Sequence, residues 1–143
     1  MEDHSNPRPP RPGASKHLGN DTMLVVTTAL CDEELLVVYE LQSTGEHFAI
    51  ELAAWQHLQR APANIDCANE HWEERPPSGT LWESRMDGQR YRIVCNAFHA
   101  ITGAHLVVRK NEWDSVVDIM DIDEWRRPLD VNGKTEKPFR LLS

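Results

Sequence analysis

Two stretches of the chain carry one pattern. Tyr39 opens "YELQSTGEHFAIELAAWQHL" and Trp82 opens "WESRMDGQRYRIVCNAFHAI", 43 positions further on, and the two align without a gap. Each reads as a strand, a glycine turn, an alternating strand and a short apolar segment. Over residues 38–58 against 81–101 the identities are Glu40/Glu83, Gly45/Gly88, Ile50/Ile93 and Ala54/Ala97. Tyr39/Trp82, Phe48/Tyr91, Trp55/Phe98 and Leu58/Ile101 agree in kind. A ββα unit cannot bury its sheet face alone, so two of them side by side would share one core. An antiparallel α+β domain would also give two similar hairpins without any duplication. The shared residues are aromatic, aliphatic or turn-forming, so the pattern bears on fold and not on chemistry.

The remaining elements follow from local pattern. "MLVVTTAL" from Met23 is β-branched and apolar and reads as a strand. "LLVVYEL" from Leu35 is apolar on both faces and reads as a central strand. "QSTG" is a turn in which Gly45 takes positive φ. In "HFAIEL", Phe48, Ile50 and Leu52 point one way and His47, Ala49 and Glu51 the other. A helix over 53–60 would then bury Trp55 and Leu58. Residues 61–79 form a long polar connection, with one helical turn at "CANEHWEE". Asp87-Gly88 marks a hairpin, with Tyr91, Ile93 and Cys95 on one side of the strand that follows. "NAFHAI" stands where the first copy has its helix, and "AHLVVRK" is a further strand. Trp113, Val116, Val117 and Met120 trace a helical stripe with Asn111 as N-cap, against which Val116, Val117, Ile119 and Ile122 are β-branched; the spacing predicts helix over 112–122. Asn132-Gly133 is a second tight turn.

The fold class expected is therefore α+β: a mainly antiparallel sheet of two ββα-like units with two or three short helices. Residues 22–143 make one domain. Residues 1–21 hold Leu18 as their one large aliphatic side chain after Met1, which cannot offset the entropy of ordering, so a disordered proline-rich tail is expected there. Its "PRPPRP" also suits a polyproline groove.

The net charge of −8 is unevenly placed. Residues 22–79 hold ten carboxylates against Arg60 and Arg75, while the flanking segments balance. A duplex binder must neutralise phosphates with Lys and Arg, so nucleic acid is not the expected partner. A basic protein surface is, although acids also serve solubility alone. No apolar run is long enough to span a membrane. The acidic, proline-rich opening "MEDHSNPRPP" lacks the basic and apolar regions of a leader, and three cysteines suggest no disulfide framework; both point to the cytoplasm.

Two Cys-x-x-x-His spacings, Cys67/His71 and Cys95/His99, would put thiolate and imidazole on one helical face, and together they would make a Cys2His2 metal site. The knuckle of ordinary zinc sites is tighter, and a small buried cysteine is the common outcome for Cys95. Cys67 beside His71 or His57 would suit a nucleophile and its base, but no glycine elbow, phosphate loop or triad motif accompanies them. "DIMDIDE" from Asp118 lacks the Gly and closing Glu of an EF-hand loop. Trp72, set among Glu70, Glu73 and Glu74, joins contact area to charge and suits partner binding. The function expected is a non-catalytic, cofactor-free binding module that docks a basic partner through Glu70, Trp72, Glu73 and Glu74. The alternatives are a metal- or cysteine-dependent enzyme using Cys67, His71, Cys95 and His99, and a structural module that dimerises through a sheet edge.

Overall fold

The β-branched and aromatic runs pair into a closed barrel. A computed structural model describes residues 8–58 and 75–143. In order these form β1 (Ser15–Leu18), β2 (Asp21–Cys31), β3 (Glu34–Leu41), β4 (His47–Glu51), α1 (Leu52–Gln56), β5 (Leu81–Ser84), β6 (Arg90–His99), β7 (His105–Asn111), β8 (Val117–Asp121), α2 (Ile122–Arg126), β9 (Leu129–Val131), β10 (Lys134–Glu136) and β11 (Phe139–Leu141). Strands β2-β3-β4 and β6-β7-β8 are two antiparallel meanders. They join edge to edge in parallel, β4 on β6 with Phe48 opposite Phe98, and β8 on β2 with Leu30 opposite Asp118. Six strands therefore close on themselves and leave the barrel without an edge. β1 extends β2, β5 extends β6, and β11 lies against β5.

This corrects the α+β expectation: the sheet is mixed, mostly β, and the two described helices have five residues each. "NAFHAI" is not a helix, because β6 runs through Ala97 and Phe98 to His99. Residues 112–121 are not helical either, and Ile122 opens α2. Trp113 sits in a turn at 89% exposure, and Val117–Asp121 is a strand. The β-branched side chains prevail over the helical spacing because β8 must pair with both β7 and β2. The first unit comes closer to its reading, with strand to Glu51 and helix from Leu52 to Gln56. The strand β1 falls within residues 1–21, beginning at Ser15, and Gly13 donates its amide to Val25 O at 2.8 Å.

The chain does repeat a unit, but in another register. The order β1-β2-β3-β4-α1 recurs as β5-β6-β7-β8-α2. With 70 residues added, each β3–β4 pair maps onto a β7–β8 pair: Leu36 faces Glu51 as Leu106 faces Asp121, and Tyr39 faces Phe48 as Arg109 faces Asp118. The connecting turns match as well. Gly45 N donates to Leu41 O and Ser115 N to Asn111 O, with φ of 77° and 62° at the two turn residues. Leu36, Val37, Val38 and Trp55 recur as Leu106, Val107, Val108 and Trp125. The lead-in turns agree too: Ala14 N donates to Arg11 O as Thr80 N does to Pro77 O. The 43-residue alignment instead sets β3 and β4 against β5 and β6, which hold different places in the two units.

Three cores result. All six barrel strands supply the inner one: Ala29, Leu36, Val38, Ala49, Cys95, Ala97, Leu106, Val108 and Ile119. Its small residues fit the narrow interior of a six-stranded closure. Outside the first meander, Met23, Val25, Val37, Tyr39, Phe48, Ile50 and Trp55 pack under α1. Outside the second, Tyr91, Ile93, Val107, Ile122, Trp125 and Phe139 pack under α2. Equivalent bulges, between Val25 and Thr27 and between Ile93 and Cys95, switch each long strand from the outer to the inner core. Cys95 therefore faces away from Tyr91 and Ile93, not with them. No helix among the described residues is long and apolar enough to cross a membrane.

Candidate functional site

Alternation carries the inner-face positions to the barrel end where α1 and α2 begin. Two residues beyond Ala29, Ala49, Ala97 and Ile119 stand Cys31, Glu51, His99 and Asp121, and two before Leu36 stands Glu34. By the repeat, Cys31 is the counterpart of His99, and Glu51 of Asp121. Asp32 and Glu33 occupy the β2–β3 turn at φ 48° and 70°, and both are exposed. A tight turn of this kind favours Asn-Gly, so two acids here sit in a left-handed backbone that costs them energy.

One pair closes the β4–β6 junction. His99 Nε2 donates to Glu51 Oε1 at 2.6 Å and lies 2.9 Å from Oε2. His99 Nδ1 accepts the amides of Ile101 and Thr102 at 3.1 and 3.2 Å. Those amides place the ring proton on Nε2. Both nitrogens are engaged, so the pair clasps two parallel strands. The counterpart Asp121 accepts Asp123 N at 2.9 Å and caps α2.

The electrostatics are one-sided around Cys31. Burial raises its thiol above the ordinary range, and Asp32, Glu34, Glu51 and Glu124 raise it further. Carboxylates of both repeat units thus act on one thiol and hold it protonated, which suits neither a nucleophile nor a metal ligand. Asp32, Glu33, Glu34 and Glu124 are exposed and have no ion-pair partner among the described residues. Glu40 differs, since it pairs with His47 and accepts from Gln42.

Of the residues singled out in the sequence, Cys67, Glu70, His71, Trp72, Glu73 and Glu74 lie outside the described residues. Cys95 is 2% exposed in the inner core, and burial pushes its thiol up to about 12. Cys95 is thus enclosed while His99 is engaged with Glu51, and no group of three metal-capable side chains occurs among the described residues. A cleft of about 350 Å³ opens between the β5–β6 turn, the β9–β10 hairpin and β11. Its charges are spent on one another: Arg140 on Glu83 at 2.7 Å and Arg85 on Glu136 at 3.3 Å. The acidic mouth was missed in the sequence because the bulges and the parallel closure that assemble it leave no local periodicity. Comparison of the chain with family models, curated proteins and solved structures finds no match.

Proposed function

We propose that the chain is a small binding module, without catalytic chemistry of its own, that docks a basic protein surface against its acidic barrel mouth. The observation that carries this reading is the convergence on Cys31 of Asp32, Glu34, Glu51 and Glu124, carboxylates drawn from both repeat units. A concave or rimmed end of one sign raises the local concentration of an oppositely charged surface and steers its approach. Glu70, Trp72, Glu73 and Glu74 lie outside the described residues, and their charge and aromatic area would suit the same class of basic partner.

The test uses the full chain as bait beside a variant carrying Asp32→Lys, Glu34→Lys and Glu124→Lys. The bait captures a basic protein that the variant loses, and the association rate falls at least tenfold between about 50 and 500 mM salt. A captured partner that binds both baits equally, or associates at a salt-independent rate, overturns the proposal. Charge reversal at Glu70, Glu73 and Glu74 separately measures their share.

A further inference from the structure

The two repeat units differ at one edge. β5 is covered on its outer side by β11, in antiparallel register with Phe139 opposite Ser84, Arg140 opposite Glu83 and Leu141 opposite Trp82. The ladder continues past the strand: Leu81 N donates to Ser143 O and Leu142 N to Leu81 O, at 2.9 and 2.8 Å. β1 holds the same place in the first unit, with Ser15, Lys16, His17 and Leu18 standing for Leu81, Trp82, Glu83 and Ser84. Among the described residues β1 pairs with β2 alone. Its inward groups are those of Lys16 and Leu18, so the amides and carbonyls of Ser15 and His17 point outward, as those of Leu81 and Glu83 do towards β11.

Open edges are usually blunted by an outward lysine, a proline or a bulge. β1 has none of these. Lys16 turns under the strand, donates to Trp55 O and lies 5.0 Å from the centre of the Trp55 ring. His17 bonds Thr22 within its own hairpin at 2.9 Å. The turn that leads into β1 repeats the one that leads into β5, where a neighbouring strand is accommodated.

We infer that the β1 edge accepts an extended peptide strand, antiparallel to Ser15–Leu18, with an acidic residue opposite His17. The side chain that matches follows from the repeat. Glu83 accepts from Arg140 at 2.7 Å, and its counterpart here is His17, whose Nδ1 bonds Thr22 and whose Nε2 is left to donate, so the acceptor passes to the incoming strand. The incoming strand need not bring an aromatic ring. Phe139 stacks on Trp125 at 3.9 Å in the second unit, whereas Trp55 is already covered by Tyr39 at 5.2 Å and by Lys16. Backbone pairing and one cross-strand charge therefore carry recognition. This surface is separate from the acidic mouth and selects the opposite charge, so neither proposal depends on the other.

The probe is a synthetic peptide of residues 137–143 carrying R140E, added to the full chain and followed by amide NMR and hydrogen exchange. The amides of Ser15 and His17 shift and gain protection as the peptide binds. The same peptide with native Arg140 binds about tenfold more weakly, a His17→Glu chain reverses that preference, and N-methylation of the peptide's inward amides abolishes binding. Absence of added protection at Ser15 and His17 with millimolar peptide overturns the inference. So does protection already present in the free chain, which would mean an edge filled from within, or protection that rises with protein concentration, which would mean pairing with a second copy.

Discussion

The repeat places a buried ion pair where its counterpart is aromatic, and exchanging the two gives a quantitative test. Arg109 and Asp118 face each other across β7 and β8 as Tyr39 and Phe48 do across β3 and β4. Arg109 Nε and Nη2 donate to the two carboxylate oxygens of Asp118 at 2.8 and 3.2 Å, and the guanidinium lies 3.9 Å from the Tyr91 ring centre. The side chains are unequally buried, Arg109 at 10% exposure and Asp118 at 35%. Asp118→Leu leaves a guanidinium buried without its counter-ion, at a cost of about 3–5 kcal/mol. Arg109→Leu removes two charge-assisted bonds and the ring stacking but leaves a carboxylate that water can reach, at a cost of about 2–3 kcal/mol. The double change Arg109→Tyr with Asp118→Phe copies the other unit, whose two rings lie 5.9 Å apart, and stays within about 1 kcal/mol of the native chain. Urea unfolding reads this directly, since at a slope of about 1–2 kcal/mol/M the single variants lower the midpoint by roughly 1–5 M. If the double variant costs the sum of the two singles, or if Arg109→Leu is the worse single, the equivalence of the two sites is refuted.

Two further outcomes follow from groups in the cores. Tyr39 is fully buried, its hydroxyl has no hydrogen-bond partner among the described residues, and burial raises its ionisation far above the ordinary range. Tyr39→Phe therefore leaves stability unchanged or raises it by about 1 kcal/mol, and a loss of that size in thermal melting would show that the hydroxyl is satisfied. Cys95 has an ordinary thiol value of 9.0 when unfolded and is pushed up to about 12 by burial. Below 9 neither state ionises and its contribution is intact; between the two values the unfolded chain sheds a proton that the folded chain keeps, so stability falls by about 1.4 kcal/mol per pH unit. Cys95→Ala flattens that alkaline slope, and an unchanged slope in pH-dependent unfolding would count against the buried thiol.

What the sequence discloses here is what short-range sterics decide. Gly45 was readable as a positive-φ turn and takes φ 77°; Asn132-Gly133 joins β9 to β10 with φ 53° and 79°. The face assignments of Phe48, Ile50 and Ala49 hold because β4 contains no bulge. The errors gather where geometry is non-local. A bulge shows no residue signature at Val94, so the alternation from Tyr91 was carried one step too far and put Cys95 on the wrong face. Parallel contacts between β4 and β6 and between β8 and β2 are set by barrel closure. No local pattern specifies them, and they alone bring Cys31, Glu34, Glu51, His99 and Asp121 to one mouth.

The misplaced register of the repeat has a physical origin as well. Strand, glycine turn and strand is the commonest motif of any antiparallel meander, so β3-β4 and β5-β6 resemble each other by chemistry without being equivalent. The correspondence by register is hidden because the two units differ in their outer cores. Val37, Val38 and Trp55 match Val107, Val108 and Trp125, but where the first unit has Tyr39 and Phe48 the second has Arg109 and Asp118. A cation in place of Tyr39 removes the ring that covers Trp55, and in the second unit Phe139 covers Trp125 instead, at 3.9 Å with the rings 6° apart. Phe139 arrives on β11, so with Arg109 in place of an aromatic on β7 the ring over Trp125 comes from a further strand. The ring over Trp125 and the cover on the β5 edge thus come from one strand, whereas among the described residues β1 pairs with β2 alone and Trp55 keeps Tyr39.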